Sequence, residues 1–100
     1  MSDFHVKLTS KAYRDLDQIY HYISQELIAD AAARKILSDL EDAILSLDAF
    51  PARGTLRRHG KYAQKGYRQL FIHNYTIIYQ IKESQKQVIV MTVVYTARQF

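Results

Sequence analysis

Residues 65–100, KGYRQLFIHNYTIIYQIKESQKQVIVMTVVYTARQF, restrict the fold more than any other stretch of this chain. Three runs in it, 67–72, 75–81 and 88–96, are rich in β-branched and aromatic residues. Such side chains suit a pleated, half-buried surface. His73 and Asn74 leave a tight gap between the first two runs, and Asn tolerates the positive φ that a hairpin turn wants. Residues 82–86 make a second short, polar connection. The pattern predicts an antiparallel meander. Within it, Tyr75, Ile77, Tyr79 and Ile81 share one face, and Thr76, Ile78 and Gln80 share the other. That alternation predicts a sheet with one face buried and one partly wet. Residues 88–94 are almost continuously apolar, which predicts a central strand.

The residues before this stretch supply what the sheet needs for a cover. Phe4, Val6 and Leu8 alternate with His5 and Lys7, which predicts a short edge strand. Thr9 or Ser10 can cap a following helix, because a side-chain oxygen there satisfies an orphan amide. Ala12, Leu16, Ile19, Tyr20, Ile23 and Leu27 fall on one stripe of a helix over 11–27. Asp30 is a suitable N-cap for a second helix, whose stripe is Ala33, Ile36, Leu37, Leu40, Ile44 and Leu47. Pro51 disfavours the α conformation at Phe50, so this helix ends there or earlier. Two amphipathic helices so closely linked form an antiparallel hairpin, and the sheet is the only large apolar face available to them. The expectation is one α+β domain over 1–100 in the order βααβββ. In it, an N-terminal strand and a helical hairpin pack on a four-stranded, twisted antiparallel sheet.

Charge divides the chain in two. The net charge is +4. Residues 1–50 carry five Lys/Arg against nine acids, and residues 51–100 carry nine against Glu83 alone. The halves therefore stand at −4 and +8. Between Arg53 and Arg68 there are six basic residues and no acid. A polyanionic partner, either nucleic acid or an acidic protein segment, is the expected consequence, with a solubilising surface as the alternative. The segment 51–66 is also irregular and holds the only Pro and all three Gly. Long loops in a compact domain are usually functional or mobile.

Several chemistries find no support. The chain has no Cys, which removes disulfides and Cys-ligated zinc. His5, His21, His59 and His73 are scattered without ligand spacing, so neither a metal nor a cofactor is expected. No nucleophile elbow or phosphate-binding glycine loop is present. No run approaches membrane-spanning length, and no basic region with a long apolar run opens the sequence, so a cytoplasmic location is expected. What remains is basic and phenolic. Arg57, Arg58, Lys61, Lys65, Arg68 and Arg98 are candidates for binding a target or polyanion. Arg68, Arg98, Tyr95 and His59 could serve RNA cleavage, with the cations stabilising charge at a phosphate and Tyr or His moving protons. Read without chemistry, the arginines are anion anchors and the tyrosines are core or interface aromatics.

At this point the sequence resembles toxins of the RelE/ParE superfamily from bacterial type II toxin–antitoxin systems. The pieces that carry the resemblance are FHVKLTSKA, DLDQIYHYIS, AAARKILSDLEDAILSLDAFPARG, GYRQLFIHNYTIIYQI and VIVMTVVYTARQF. It is most similar to the ParE branch. That branch shows an IYxYI-like helix, an FPxxG exit, an Arg early in the next strand, a YxIxY strand and a closing AR. Those features correspond to residues 19–23, 50–54, Arg68, 75–79 and 97–98. The resemblance implies poisoning of DNA gyrase by binding, or, for RelE-like relatives, ribosome-dependent mRNA cleavage. It also implies a cognate antitoxin and a toxin–antitoxin hetero-oligomer. Leu16, Tyr20, Ile23, Leu40 and Ile44 are the residues expected to bind that antitoxin. RelE-like nucleases tend to carry an Arg in mid-sheet, where this chain has Thr76. They often carry a Tyr or His beyond the final Arg, where only Gln99 and Phe100 follow. ParE-like chains often have a His where Tyr95 stands. The first two departures favour gyrase.

Overall fold

The computed structural model describes residues 3–63 and 65–98. Its elements are β1 (His5–Leu8), α1 (Ser10–His21), α2 (Asp30–Leu45), β2 (Thr55–Leu56), β3 (Arg68–Ile72), β4 (Tyr75–Lys82) and β5 (Gln87–Tyr95). A π-helical turn at Tyr22–Glu26 extends α1, and 3-10 turns follow α2 and β5. Helical residues Ala12, Ile19, Ile23, Ala33, Leu40, Ala43 and Ile44 pack with Tyr75, Ile77, Tyr79, Val88, Val90 and Val93 of the sheet. The α+β class and the helical hairpin are as expected.

The sheet departs from the expectation in two ways. It has five strands in the order β1-β5-β4-β3-β2, and it is mixed. β1 runs parallel to β5, with His5 opposite Gln87 and Leu8 opposite Val90. Alternation in a sequence reports which face is buried, but not the direction of the neighbouring strand. The added strand, β2, is only two residues long and pairs with Gln69 and Arg68, too short a run to show a period.

Local chemistry accounts for the element ends. Thr9 caps α1, its Oγ1 accepting from the Ala12 amide at 3.1 Å. Asp30 does not cap α2. Ala29 occupies the N-cap without a side-chain bond, and Asp30 is the first helical residue. There it accepts from the Tyr20 hydroxyl at 2.9 Å and pairs with Arg34 at 3.0 Å. Its charge favours the positive end of the helix dipole. In the β3–β4 turn it is His73, not Asn74, that adopts positive φ, at 54°. Its Nε2 lies 2.6 Å from Asp39 Oδ2, which ties the turn to α2.

A bulge in β5 locks α1 against the sheet. Ile78 pairs with Thr92 while Tyr79 pairs with Val90, which leaves Met91 as the extra residue. β1 covers β5 only as far as Val90. Beyond that point side chains take over the free edge. Thr9 Oγ1 donates to the Met91 carbonyl at 2.8 Å, and Asp15 Oδ2 accepts from the Val93 amide at 3.1 Å. Asp15 also accepts from the Thr92 hydroxyl and from Lys11.

Tyr79 is fully buried and joins three segments. Its hydroxyl donates to the Pro51 carbonyl at 2.7 Å and accepts from the Gly54 amide at 2.9 Å. A Cβ on Gly54 would come within 2.4 Å of the Gln69 carbonyl oxygen and 2.8 Å of the Tyr79 hydroxyl. Only glycine fits, so the turn after α2 and the middle of β4 depend on each other.

Three of the residues expected to meet a partner belong to the hydrophobic core. Ile23, Leu40 and Ile44 are buried, Leu40 completely. The helical stripe cannot distinguish a face that packs on the sheet from one that awaits a partner. Leu16 and Tyr20 are half-buried and pack against the same core.

Two predictions follow from this packing. Tyr79→Phe leaves the Pro51 carbonyl and Gly54 amide unsatisfied, and should lower stability by about 1–3 kcal/mol. Gly54→Ala should cost a similar ~1–3 kcal/mol by overpacking. Urea denaturation of both variants would measure this, and midpoints equal to wild type would refute the coupling. The second prediction concerns pH. Hydrogen bonds from Lys35 and His73 hold the Asp39 carboxyl below its ordinary value of 3.8. A depressed carboxyl contributes stability above its unfolded pKa, and that contribution is lost as pH falls through the folded one. Asp39→Asn should therefore reduce stability at neutral pH, and the gap from wild type should close below about pH 4. A gap that stays constant across acid melts would contradict this.

Candidate functional site

The chain leaving α2 and the outer strands form one open groove. Gly54, Thr55 and Leu56 line it from the β2 side, Gln69 and Phe71 from β3, and Thr96 from beyond β5. Arg53, Arg57, Arg58, His59 and Arg68 also line it, and among the described residues no acidic side chain does. Arg68 is held in place: its Nε donates to the Gly54 carbonyl at 3.2 Å. Gly54 is thus bound through its amide by Tyr79 and through its carbonyl by Arg68. Arg53 donates through Nη1 to Ser46 Oγ at 2.8 Å, which anchors the groove to the end of α2. Arg57 donates through Nη1 to Gln69 Oε1 at 2.8 Å. Arg58 and His59 are exposed. Fixed and free cations together suit an anionic surface.

A second groove lies between the tip of the helical hairpin and the sheet. Ile19, Tyr22, Ile23, Leu27, Ala32 and Ile36 line it from the helical side, and Tyr75, Val93 and Tyr95 from the strands. Asp15, Arg57, Lys61, Tyr62, His73, Ile78 and Val94 are among the rest of its lining. It is thus largely apolar with cations among its lining. Tyr22 and Leu27 are 51% and 57% exposed, so apolar surface is open to a partner here. The adjoining Ile28 is 88% exposed and holds φ at 50°, a conformation that β-branched residues rarely adopt.

The structure separates the expected catalytic set. Arg68 and His59 line the basic groove, whereas Tyr95 lines the apolar one. Tyr95 stands opposite Tyr75 across the strands, the rings edge to face at 5.7 Å, and it is 42% exposed. Lys61 lines the apolar groove, and Lys65 is exposed and lines neither. The backbone of Arg98 lies in the final 3-10 turn, and its side chain falls outside the described residues. Arg53, Gln69, Tyr22 and Leu27 were not among the expected site residues. Leu27 lies on the helical stripe, Tyr22 in the IYxYI-like motif and Arg53 in the basic run, so these three carried a sequence signal. Gln69 becomes visible as a site residue only through its bond to Arg57.

Comparison with known proteins places this architecture. No curated protein sequence matches the chain. Among solved structures, the chromosomal ParDE toxin–antitoxin system of P. aeruginosa aligns with a TM-score of 0.72 at 24% identity. That alignment covers 93% of this chain and 96% of that one. The RelBE2 toxin–antitoxin complex of Mycobacterium tuberculosis aligns with a TM-score of 0.69 at 21% identity, covering 93% and 98%. A mutant of E. coli toxin RelE in the free state reaches 0.60 at 10% identity, covering 93% and 82%. These likenesses establish a shared fold. The family model for the ParE toxin of the type II toxin–antitoxin system parDE matches residues 6–100, and this chain therefore belongs to the ParE toxin family.

Proposed function

We propose that this toxin arrests growth by binding and poisoning DNA gyrase. The observation that carries this reading is the division of the candidate groups between two grooves. RNA cleavage needs a proton-transfer group within hydrogen-bond reach of the reacting oxygens, beside the cations that stabilise the phosphate. Here Tyr95 lines one groove, and Arg68 with His59 lines the other. Thr76 stands where RelE-like nucleases tend to carry an Arg; it is fully buried, with its hydroxyl 2.8 Å from that of Thr96. Binding asks no proton transfer of the toxin. The companionship of Arg68 and His59 in one basic groove is what favours the alternative, ribosome-dependent mRNA cleavage.

Supercoiling by purified gyrase, run beside mRNA cleavage on programmed ribosomes, decides between them. The expected result is impaired supercoiling and intact message. Tyr95→Phe keeps the ring and should be nearly silent, whereas Arg98→Ala should weaken inhibition. Under the nuclease reading Tyr95→Phe would instead lower cleavage by about two to four powers of ten. Intact supercoiling with codon-positioned cleavage would overturn the gyrase assignment.

A cognate antitoxin is the second partner in this reading. Its acidic, amphipathic segment would lay apolar side chains in the groove between the hairpin tip and the sheet and set its acids against the cations there. Charge complementarity of this kind speeds encounter and sets specificity. Co-expression with such an antitoxin should restore growth. Tyr22→Asp and Leu27→Asp, both at exposed positions, should weaken the rescue without unfolding the toxin. Full rescue of both variants would place the antitoxin elsewhere.

A further inference from the structure

Arg57 differs from every other cation in the basic segment. It begins the loop between β2 and β3, and its amide donates to the Tyr67 carbonyl at 2.8 Å. It is half-buried and lines both grooves. Its Nη1 bonds Gln69, but its Nε is buried without an acceptor. Among the described residues it is the only buried side-chain nitrogen or oxygen in that condition, and Arg57 forms no ion pair there. A buried charged donor left unsatisfied is costly, so an acceptor supplied from outside would be gained at full value.

We propose that Arg57 is a carboxylate anchor, which takes up the side chain of an Asp or Glu on the antitoxin. This rests on the toxin–antitoxin reading above and names the contact that would confer specificity. The guanidinium offers Nε–H and an Nη–H as a planar fork that matches a carboxylate bidentately. One neutral bond, to Gln69, holds the head group, so exchange for a charge-assisted pair is favourable. The surroundings select a protein acid over a nucleic-acid phosphate. Leu56 and Phe71 line one groove with Arg57, and Ile78 and Val94 line the other with it. An acid carried among apolar side chains satisfies both features, whereas a phosphate backbone would first meet exposed Arg58, His59 and Lys61.

The test uses the full chain and a library of random linear peptides displayed on phage. Enriched peptides should share an Asp or Glu flanked by apolar residues. Arg57→Lys should weaken their binding about tenfold or more, because an ammonium cannot reproduce the fork. Arg14→Ala, at an exposed cation that lines neither groove, should change it by no more than about threefold. Gln69→Glu provides an independent arm: an internal carboxylate would occupy Arg57, so binding should fall while the melting temperature holds or rises. If Arg57→Lys fails to fold, Gln69→Glu decides. Peptides lacking acids, no enrichment, or unchanged binding to Gln69→Glu would overturn the anchor. So would a single-stranded RNA oligonucleotide whose binding alone depends on Arg57. If the chain does not arrest growth but peptides still require Arg57, the toxin–antitoxin reading fails and the anchor stands. Arrest with Arg57-independent peptides gives the reverse.

Discussion

The hydroxyl of Tyr79 is the interaction on which the rest of the molecule depends. It is a polar atom at the tip of a fully buried side chain, so it must be satisfied internally. It finds a carbonyl at Pro51 and an amide at Gly54, both in the exit from α2. That pair of bonds brings the helical layer's outlet onto the sheet. It also brings Gly54 so close to β3 that no side chain can be present. Arg68 then completes the arrangement by donating to the Gly54 carbonyl. The FPxxG exit, the strand Arg and the second Tyr of the YxIxY strand therefore form one physical unit. The basic groove is built on that unit.

Asp15 plays the matching role at the opposite edge. A sheet edge presents unpaired backbone groups, and they must be paired or covered. β1 is too short to cover all of β5, and the bulge at Met91 disturbs the ladder beyond it. Thr9 supplies a donor to the Met91 carbonyl and Asp15 an acceptor for the Val93 amide. Thr9 thus serves both as the cap of the helix and as a cap of the strand edge, with Asp15 further along α1. This fixes the hairpin over the sheet and with it the apolar groove between them.

Segregation of charge follows the same architecture. Lys35–Asp39 and Arg34–Asp30 pair acids with bases along α2, and Lys11 pairs with Asp15 on α1. Among the described residues, the cations from Arg53 to Arg68 form no ion pairs. Their fields add rather than cancel, which suits attraction of an acidic surface. Arg57 alone among them lines both grooves and carries a buried nitrogen without an acceptor among the described residues.

The sequence by itself determined the element types, the helical hairpin, the meander and the basic half, because period and composition are local properties. Alternation in 75–81 identified the side of β4 that joins the helical core, but the other face is not wet as expected, since Thr76 and Ile78 are buried as well. The polar–apolar contrast of the helices identified a buried stripe. Tertiary structure alone decided three things. The direction and partner of β1 rest on hydrogen bonds to a strand some eighty residues away. Whether Leu40 and Ile44 face the sheet or a partner depends on which surface reaches them first, and a stripe cannot report that. The third was the grouping of the site residues. Tyr95, the last residue of β5, lines the apolar groove, whereas Thr96, the first residue of the 3-10 turn, lines the basic one, because the chain leaves the extended conformation between them.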